Sequence, residues 1–382
     1  MSTIEVSGSD RTRTKEVDVR WVDADVHPLP HPGDGFLGYA PDGWRDRLAP
    51  RGHEISGVSA RILDQPEANK APTGKVDSYS PRGGPACSDP QFAAQQLLVE
   101  TGMDIGILLP MGRDHRNPDY EHALKTTVNN WLADIWLDQH NQHRRWRGSI
   151  SVTTREPELA AREIERWAGH PMMVQVLMSP QRPAYAFGDP KLDPIYEAAA
   201  RHRLPVATHL MANLPYENSI KPVGVGGHFS DYISAWGLIL ASHLMSLVFD
   251  GAFDRHPTLK VVFVEGGFLW VLPLMWRMDA IWEARRSELP WVKRRPSEYV
   301  RDQVYFTTQP LDDVDTREEI AFTRWLDMAA NLIFATDYPH WTYDDPKWAL
   351  RRLPKELHPR IQHENATELY GLPQTVPALP GA

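Results

Sequence analysis

The stretch Asn331-Leu-Ile-Phe-Ala-Thr-Asp-Tyr-Pro-His340, near the end of this 382-residue chain, indicates how the polypeptide folds. Its apolar residues suit a buried strand that runs directly into Asp337, and Tyr338-Pro339 then interrupts the regular structure. The carboxylate of Asp337 is therefore predicted to stand where a strand ends. In a barrel of parallel strands, the carboxyl ends of the strands carry the catalytic residues.

Two other predicted strands end in the same way. The stretch Trp21-Val-Asp-Ala-Asp-Val-His27 carries Asp25 and His27 at its end, and Leu204-Pro-Val-Ala-Thr-His-Leu210 carries His209. Because side chains two apart on a strand point to the same side, both donors of the first stretch are expected to face the barrel interior.

Together, these strand ends supply four side chains that can bind a metal ion. Taken singly, a strand-end aspartate could cap the following helix, and a lone histidine could be a hydrogen-bonded core residue. Their matching strand-to-loop positions instead predict a site for zinc, for manganese or for another borderline divalent ion, with room left for water or substrate. The predicted ligands are Asp25, His27, His209 and Asp337.

Composition excludes several classes of protein. A hydrophobic content of 42% is sufficient for a large core, and a net charge of −9 gives no electrostatic basis for binding nucleic acid or an anionic membrane. We expect a small-molecule substrate instead.

The single cysteine, Cys87, cannot form an internal disulfide, and residues 1–20 lack the apolar core of a signal peptide. The apolar runs are too interrupted to cross a membrane, so a cytoplasmic protein is expected.

Helix and strand patterns alternate along most of the chain. Residues 1–19 are predicted to form a polar N-terminal arm, and residues 20–382 a single metal-dependent (β/α)8 TIM barrel with two C-terminal helices. An insertion rich in proline and glycine, residues 28–90, follows the first strand and is interpreted as a lid over the site or as a disordered insert. A doubly wound open sheet is the alternative, but no glycine-rich phosphate loop follows the first strand. The predicted strands are 20–26, 105–110, 148–152, 172–178, 204–209, 259–264, 304–308 and 332–336.

The order of these motifs resembles the amidohydrolase superfamily, and within it the amidohydrolase-2 branch, the relatives of aminocarboxymuconate-semialdehyde decarboxylase. The resemblance extends from about residue 20 to residue 371. Besides the strand ends, it includes Glu265-Gly-Gly267 at strand six and three further segments. These segments are Asn129-Asn-Trp-Leu-Ala133, Gly251-Ala-Phe-Asp-Arg-His-Pro-Thr-Leu-Lys260 and Asn365-Ala-Thr-Glu-Leu-Tyr-Gly371.

The resemblance implies a metal centre at the positions already singled out. The opening motif of the family, Asp-x-His-x-His, falls on Asp23, Asp25 and His27, with its strand-five histidine on His209 and its strand-eight aspartate on Asp337. This chain has Asp25 where that motif has its first histidine, which favours a harder ion such as manganese.

Two further comparisons with the family concern the chemistry. Glu265 stands where the decarboxylases carry an acid or base histidine. The predicted fourth strand, residues 172–178, has no lysine to bridge two metals, so one ion is expected. The resemblance implies non-oxidative decarboxylation of an aromatic or unsaturated acid. Metal-dependent hydrolysis of an amide, ester, lactone or C–C bond is the alternative, and a catalytically inactive metal-binding scaffold is a second one. A homodimer is expected by analogy.

Four side chains are assigned roles beyond metal binding. Asp337 is expected to act as both ligand and proton shuttle, and Glu265 to act as an acid or base or to orient a metal-bound histidine. His340 is a candidate for binding substrate. Arg113, which follows the second strand, could pair with a substrate carboxylate or be a solvated loop residue. Two further histidines, His228 and His243, are left without an assigned role.

Overall fold

An eight-stranded parallel barrel forms the centre of the protein, as predicted. The computed structural model describes residues 16–49, 74–110, 114–180, 185–209, 234–311 and 328–379. Strands β2 to β9 pair in consecutive order, each parallel to the next, while β1 and β10 form a separate antiparallel pair. The strands are β1 (Glu16–Asp18), β2 (Val22–Val26), β3 (Ile105–Leu108), β4 (Trp146–Ser151), β5 (Met173–Met178), β6 (Val206–His209), β7 (Val261–Val264), β8 (Val304–Thr307), β9 (Leu332–Ile333) and β10 (Thr375–Pro377).

Backbone contacts join the first and last strands of this barrel. The amide of Ala24 in β2 donates to the carbonyl of Phe334, at 3.0 Å, and the amide of His27 donates to the carbonyl of Tyr338, at 2.8 Å. Val26 forms a parallel bridge with Tyr338. These bonds bring the two ends of the sheet together, so groups far apart in sequence meet at one mouth of the cylinder.

Helices surround the barrel, and several begin with a capping aspartate or asparagine followed by proline. The side chains of Asp89, Asn117, Asp189 and Asp345 each accept a backbone amide of the helix that they precede. The α-helices are Arg45–Leu48, Pro90–Ala93, Pro118–Trp131, Pro157–Trp167, Asp193–Arg201, Trp236–Phe249, Ala252–Arg255, Val271–Ala284, Pro296–Gln303, Pro346–Ala349 and Asn365–Tyr370. Three of the other helical segments are π-helices: Ala94–Glu100, Leu132–Gln139 and Arg360–Glu364.

The structure differs from the sequence prediction at several element boundaries. The last residues of the predicted polar arm, Glu16–Asp18, form β1 against β10. Strand β9 ends at Ile333 rather than at residue 336, because the amide of Ala335 donates to the hydroxyl of Thr308 and not to a backbone carbonyl of β8. The amide of Thr336 then donates to the side chain of Asp23. The described parts of the predicted insertion contain short helical turns. The helix predicted over residues 315–327 lies outside the described residues.

Two apolar layers enclose the strands. One cluster includes Ile105, Ile107, Ala207, Val262 and Val264, which alternate along their strands and fill the barrel interior. The larger cluster packs the outward-facing strand residues against the helices. Within the described ranges, no helix is both long enough and apolar enough to cross a membrane.

Candidate metal centre

The four predicted ligands meet at the carboxyl ends of three strands. Asp25 lies in β2 and His27 directly follows it, His209 is the last residue of β6, and Asp337 lies four residues after β9. One potential ligand atom from each side chain lies within 4.8 Å of the others. All four side chains are buried, with exposed fractions of 0 to 2%. The sequence-derived set is therefore assembled in space as predicted.

Close nitrogen-to-oxygen distances connect the set. The Nε2 atom of His27 lies 3.0 Å from Oδ1 of Asp25 and 3.0 Å from Oδ1 of Asp337. The Nε2 atom of His209 lies 3.5 Å from Oδ2 of Asp25. The rings of His27 and His209 meet edge to face, with their centroids 4.7 Å apart. Both imidazoles thus direct Nε2 toward the carboxylate of Asp25, and His27 also directs it toward Asp337.

The donor set fits a divalent ion. Among the described residues, neither carboxylate oxygen of Asp25 and neither ring nitrogen of His209 has a partner in hydrogen-bond geometry, although all are buried. Buried polar atoms that converge without hydrogen-bonding one another are costly unless a further group satisfies them. Two carboxylates and two neutral imidazoles also carry a charge of −2, which balances a divalent cation. These four side chains form a metal-binding site.

Nearby charges control protonation in the ion-free site. Burial alone would raise the pKa of Asp25, but the adjacent His27 and His209 outweigh it and hold that pKa below its usual range. Burial lowers the pKa of His209, yet the carboxylates of Asp25 and Glu265 raise it to about 9. The pKa of His27 is likewise raised, because Asp25 and Asp337 outweigh its burial. The two imidazoles therefore hold protons that a metal ion must displace.

Asp23, the first residue of the family-like opening motif, does not join the metal-binding set. Val22 and Ala24 pack into the barrel interior, and the pairing of β2 with β3 shifts register between Asp23 and Val26. Such an irregularity re-aims the side chains that follow it. The Asp23 carboxylate accepts the amide and the hydroxyl of Thr336, at 2.9 and 2.5 Å, and the amide of Asp25, at 3.1 Å. It thereby ties β2 to the chain after β9.

Glu265 directly follows β7 and faces the metal-binding side of His209. Its Oε2 atom lies 3.0 Å from Nε2 of His209, the ring nitrogen that also approaches Asp25. A carboxylate that merely orients a metal-bound histidine contacts the ring nitrogen remote from the metal. Burial and the nearby Asp337 raise the pKa of Glu265 to about 7, although His209 acts in the opposite direction. This geometry places a protonatable carboxyl group beside the centre.

Backbone conformation marks the same two acidic positions. Glu265 has a φ of 57° and Asp337 a φ of 63°, both in the left-handed region that residues other than glycine rarely occupy. Such conformations cost free energy and cluster at functional sites. In Glu265-Gly-Gly267 and Asp337-Tyr-Pro339, this turn directs the strand-end carboxylate into the barrel mouth.

His340 lies at the outer edge of the centre. Its ring stacks on that of His27, with the centroids 4.4 Å apart and the planes inclined by 23°, and its Nδ1 lies 2.5 Å from Oδ1 of Asp337. Its side chain is 26% exposed, whereas the predicted ligands are fully enclosed. Glu265, Asp337 and His340 also have potential ligand atoms within 4.8 Å of one another. Among the described residues of the two candidate ligand groups, His340 is the one whose side chain is partly exposed to an incoming molecule.

Three candidates from the sequence are not part of the described metal centre. Arg113 and His228 lie outside the described ranges. His243 lies in the helix Trp236–Phe249, where its Nε2 contacts the carbonyl of Pro180 at 2.9 Å and its ring stacks on Phe187 at 4.0 Å. Burial lowers the pKa of His243 to about 4. This histidine belongs to the helix layer and not to the metal centre.

Sequence reasoning missed two polar residues that touch Asp337. The Nε2 atom of Gln309 donates to Oδ2 of Asp337 at 3.1 Å, and the hydroxyl of Thr342 donates to the same oxygen. Gln309 follows β8 and precedes Pro310, so it repeats the pattern of a strand, a polar residue and a proline that identified Asp337. That pattern was a usable signal, whereas nothing local in the sequence indicates the contact made by Thr342.

A parallel (β/α)8 barrel with a buried Asp-His-His-Asp metal site at its carboxyl end defines the general class of this protein. The family model for amidohydrolases, Amidohydro_2, matches residues 22–372. The chain therefore belongs to the amidohydrolase family, in its amidohydrolase-2 branch, as the motifs implied.

Individual relatives include decarboxylases of aromatic acids. The chain is 28% identical over 230 residues to gamma-resorcylate decarboxylase from Polaromonas sp. strain JS666; the match covers 57% of this chain and 66% of that protein, just under two thirds of its length. An amidohydrolase from Mycobacterium avium subsp. paratuberculosis K-10 superimposes with a TM-score of 0.67 at 18% identity, covering 94% of this chain and 99% of that one. A 5-carboxyvanillate decarboxylase from Novosphingobium aromaticivorans, complexed with manganese and 4-hydroxy-3-methoxy-5-nitrobenzoic acid, gives 0.67 at 19% identity, covering 93% and 96%. The two structural similarities establish the shared fold.

Proposed function

We propose that this protein is a manganese-dependent decarboxylase that releases CO2 from an aromatic or unsaturated carboxylic acid. The observation that carries the proposal is the position of Glu265, a buried carboxyl group 3.0 Å from the metal-facing nitrogen of His209. The similarity to gamma-resorcylate decarboxylase supports this choice of reaction, and the manganese bound by the carboxyvanillate enzyme supports the choice of ion. The carboxylate-rich ligand set also suits manganese.

The chemistry follows from the groups around the site. A divalent ion held by Asp25, His27, His209 and Asp337 would neutralise and orient the substrate carboxylate. Burial disfavours the charged form of Glu265 and raises its pKa in the ion-free site to about 7, so this carboxyl group is proposed to carry a proton. Its carboxyl group donates that proton to the substrate carbon that bears the carboxylate. The C–C bond then breaks, its electron pair returns to the substrate, and CO2 leaves. Glu265 regains a proton from solvent before the next turnover.

Two side chains are proposed to hold the substrate. His340 is the exposed member of the site, and its stacking on His27 fixes the ring beside the metal centre. Its Nε2 edge is available to a hydroxyl or carboxylate of the substrate. Arg113, which comes five residues after the end of β3 in the sequence, is proposed as a partner for a second acidic group. Asp337 is proposed to serve the reaction chiefly as a ligand, since both of its oxygens already accept contacts from neighbouring side chains.

Hydrolysis is the second candidate, and it is favoured by the presence of a glutamate rather than a histidine at position 265. The resemblance places a histidine at this position in decarboxylases, whereas a carboxylate is well suited to accept a proton from an attacking water molecule. Hydrolysis of an amide, ester, lactone or C–C bond would use the same ligands. The two reactions differ in the direction of proton transfer at Glu265: decarboxylation needs the protonated form, and hydrolysis needs the ionised form.

A substrate panel separates the two reactions. Manganese-loaded protein is incubated with hydroxybenzoates, among them gamma-resorcylate and 5-carboxyvanillate, and with amides and lactones. We expect CO2 release from a hydroxybenzoate, and no release after chelation of the metal. Formation of a new carboxylate from an amide or lactone, without CO2 release, would refute decarboxylation and show that the protein is a hydrolase. Neither product from metal-loaded protein would favour the inactive scaffold.

We also propose that the protein works in the cytoplasm. Its single cysteine, Cys87, is buried and unpaired. A chain with no disulfide has no requirement for an oxidising compartment.

A further inference from the structure

The carboxylate of Asp337 is held differently at its two oxygens. Oδ1 faces the ring nitrogens of His27 and His340, at 3.0 and 2.5 Å. Oδ2 faces away from these rings and accepts from Gln309 and Thr342. Oδ1 therefore faces the predicted ligand His27, and the donors at Oδ2 restrain the rotation of the carboxylate.

Gln309 is itself fixed in one orientation. Its Nε2 donates to Oδ2 of Asp337 at 3.1 Å and to the carbonyl of Thr342 at 3.3 Å, so both amide hydrogens have acceptors. Exchanging the amide nitrogen and oxygen would place Oε1 against these two acceptors and break both contacts. The side chain is completely buried, and within the described ranges its Oε1 atom has no hydrogen-bond partner. A buried polar side chain with one unsatisfied atom carries a free-energy cost, and such groups in native proteins call for an explanation. Here the side chain contacts the predicted metal ligand Asp337.

The backbone reinforces this arrangement. Strand β8 ends two residues before Gln309, and the amide of Thr308 donates to the carbonyl of Ile333 in β9 at 2.9 Å. The loop after β9 folds back onto the same segment, since the amide of Leu311 donates to the side chain of Asp344 at 3.0 Å. The residues on either side of Gln309 are thus hydrogen-bonded to β9 and to the loop that follows it.

We propose that Gln309, together with Thr342, is a positioning residue of the metal centre. The two side chains bind Oδ2 of Asp337 and leave Oδ1 directed at the metal ion. Neither residue needs to touch the ion. Partners of this kind orient metal ligands, and their loss typically weakens metal binding about 10- to 100-fold. The inference depends on the metal site and not on the reaction that the site performs.

A matched pair of glutamine substitutions tests the proposal. Gln309→Met keeps the size of the side chain and removes its hydrogen bonds. Gln303→Met does the same at the other end of β8, where the buried Gln303 donates to the carbonyls of His256 and Leu259 at 3.2 and 3.0 Å, far from the metal ligands in the barrel. Ion-free proteins are titrated with Mn²⁺, and free Mn²⁺ is measured by electron paramagnetic resonance. Thermal unfolding of the ion-free proteins is measured in parallel.

We expect Gln309→Met to raise the Kd for Mn²⁺ about 10- to 100-fold and Gln303→Met to leave it unchanged, with comparable losses of thermal stability. A wild-type Kd in Gln309→Met would overturn the proposal, as would equal weakening in both variants. If Gln309→Met does not fold, Thr342→Val decides the question, because it removes the other donor to Oδ2: weaker Mn²⁺ binding supports the proposal and a wild-type Kd refutes it. Absence of decarboxylation with normal Mn²⁺ binding would count against the proposed function alone.

Discussion

Replacing Glu265 by glutamine should separate catalysis from metal binding. The substitution keeps the size of the side chain and its 3.0 Å approach to His209, but removes the proton that the carboxyl group carries. Because Glu265 is not among the four ligands, we expect Mn²⁺ binding to stay within a few-fold of wild type. Loss of a general acid costs about 10²- to 10⁴-fold in rate, or roughly 3–5 kcal/mol of transition-state stabilisation.

The same change should stabilise the ion-free protein above neutral pH. Burial raises the pKa of Glu265 from 4.5 to about 7, so the unfolded chain loses this proton at lower pH than the folded protein. Stability supplied by the protonated form is therefore lost as the pH rises from 4.5 through 7. A shift of this size corresponds to about 3 kcal/mol, and Glu265→Gln removes the penalty. We expect the variant to exceed the wild-type free energy of unfolding at pH 8 but not at pH 4.

Three measurements on one preparation decide the outcome: metal content by elemental analysis, CO2 release from hydroxybenzoates, and urea unfolding at both pH values. Full activity in Glu265→Gln would refute its role as proton donor. Loss of manganese from this variant would make Glu265 a metal ligand. An unchanged pH dependence of unfolding would show that burial does not raise the pKa of the Glu265 carboxyl group.

Three further predictions concern other titratable groups. Asp337→Asn removes a charged ligand, so it should abolish activity and weaken Mn²⁺ binding by at least about a hundredfold, as measured by isothermal titration calorimetry. A wild-type affinity for Mn²⁺ would show that Asp337 is not a ligand. Because the pKa values of His27 and His209 are raised in the ion-free site, Mn²⁺ binding near pH 7 should release about two protons. Calorimetry should then give a binding enthalpy that varies with the ionisation enthalpy of the buffer, and a buffer-independent enthalpy would contradict this. The pKa of His243 falls to about 4 on folding, so the unfolded chain takes up this proton first and the free energy of unfolding drops as the pH falls below 6.5. His243→Gln should reduce that loss by about 3 kcal/mol in urea unfolding at pH 4. An unaltered loss would show that His243 is not the group responsible.

The sequence was sufficient for the barrel and the ligands because both depend on local patterns. Most barrel strands are short and rich in apolar residues, and the metal ligands Asp25, His209 and Asp337 lie in such a strand or within a few residues of its end. Parallel strands bring these ends to one edge of the sheet, so a pattern repeated along the chain becomes a cluster in space. Burial, distance and charge at the site then agree with the prediction.

Contacts between separate loops leave no local pattern in the sequence and could not be predicted from it. The hydrogen bond from Thr342 to Asp337 depends on how the chain folds back after Pro339, and the Asp23 contacts with Thr336 depend on closure of the barrel. The irregularity in β2 that separates Asp23 from Asp25 also has no marker in the sequence. A strictly alternating strand would have placed Asp23 beside the ligands, and only the paired register shows otherwise.

The most direct test of the metal centre is anomalous X-ray scattering from crystals soaked in Mn²⁺. A single strong peak in contact with Asp25, His27, His209 and Asp337 is the expected result. A peak elsewhere, or no peak in crystals whose four side chains keep their positions, would contradict it.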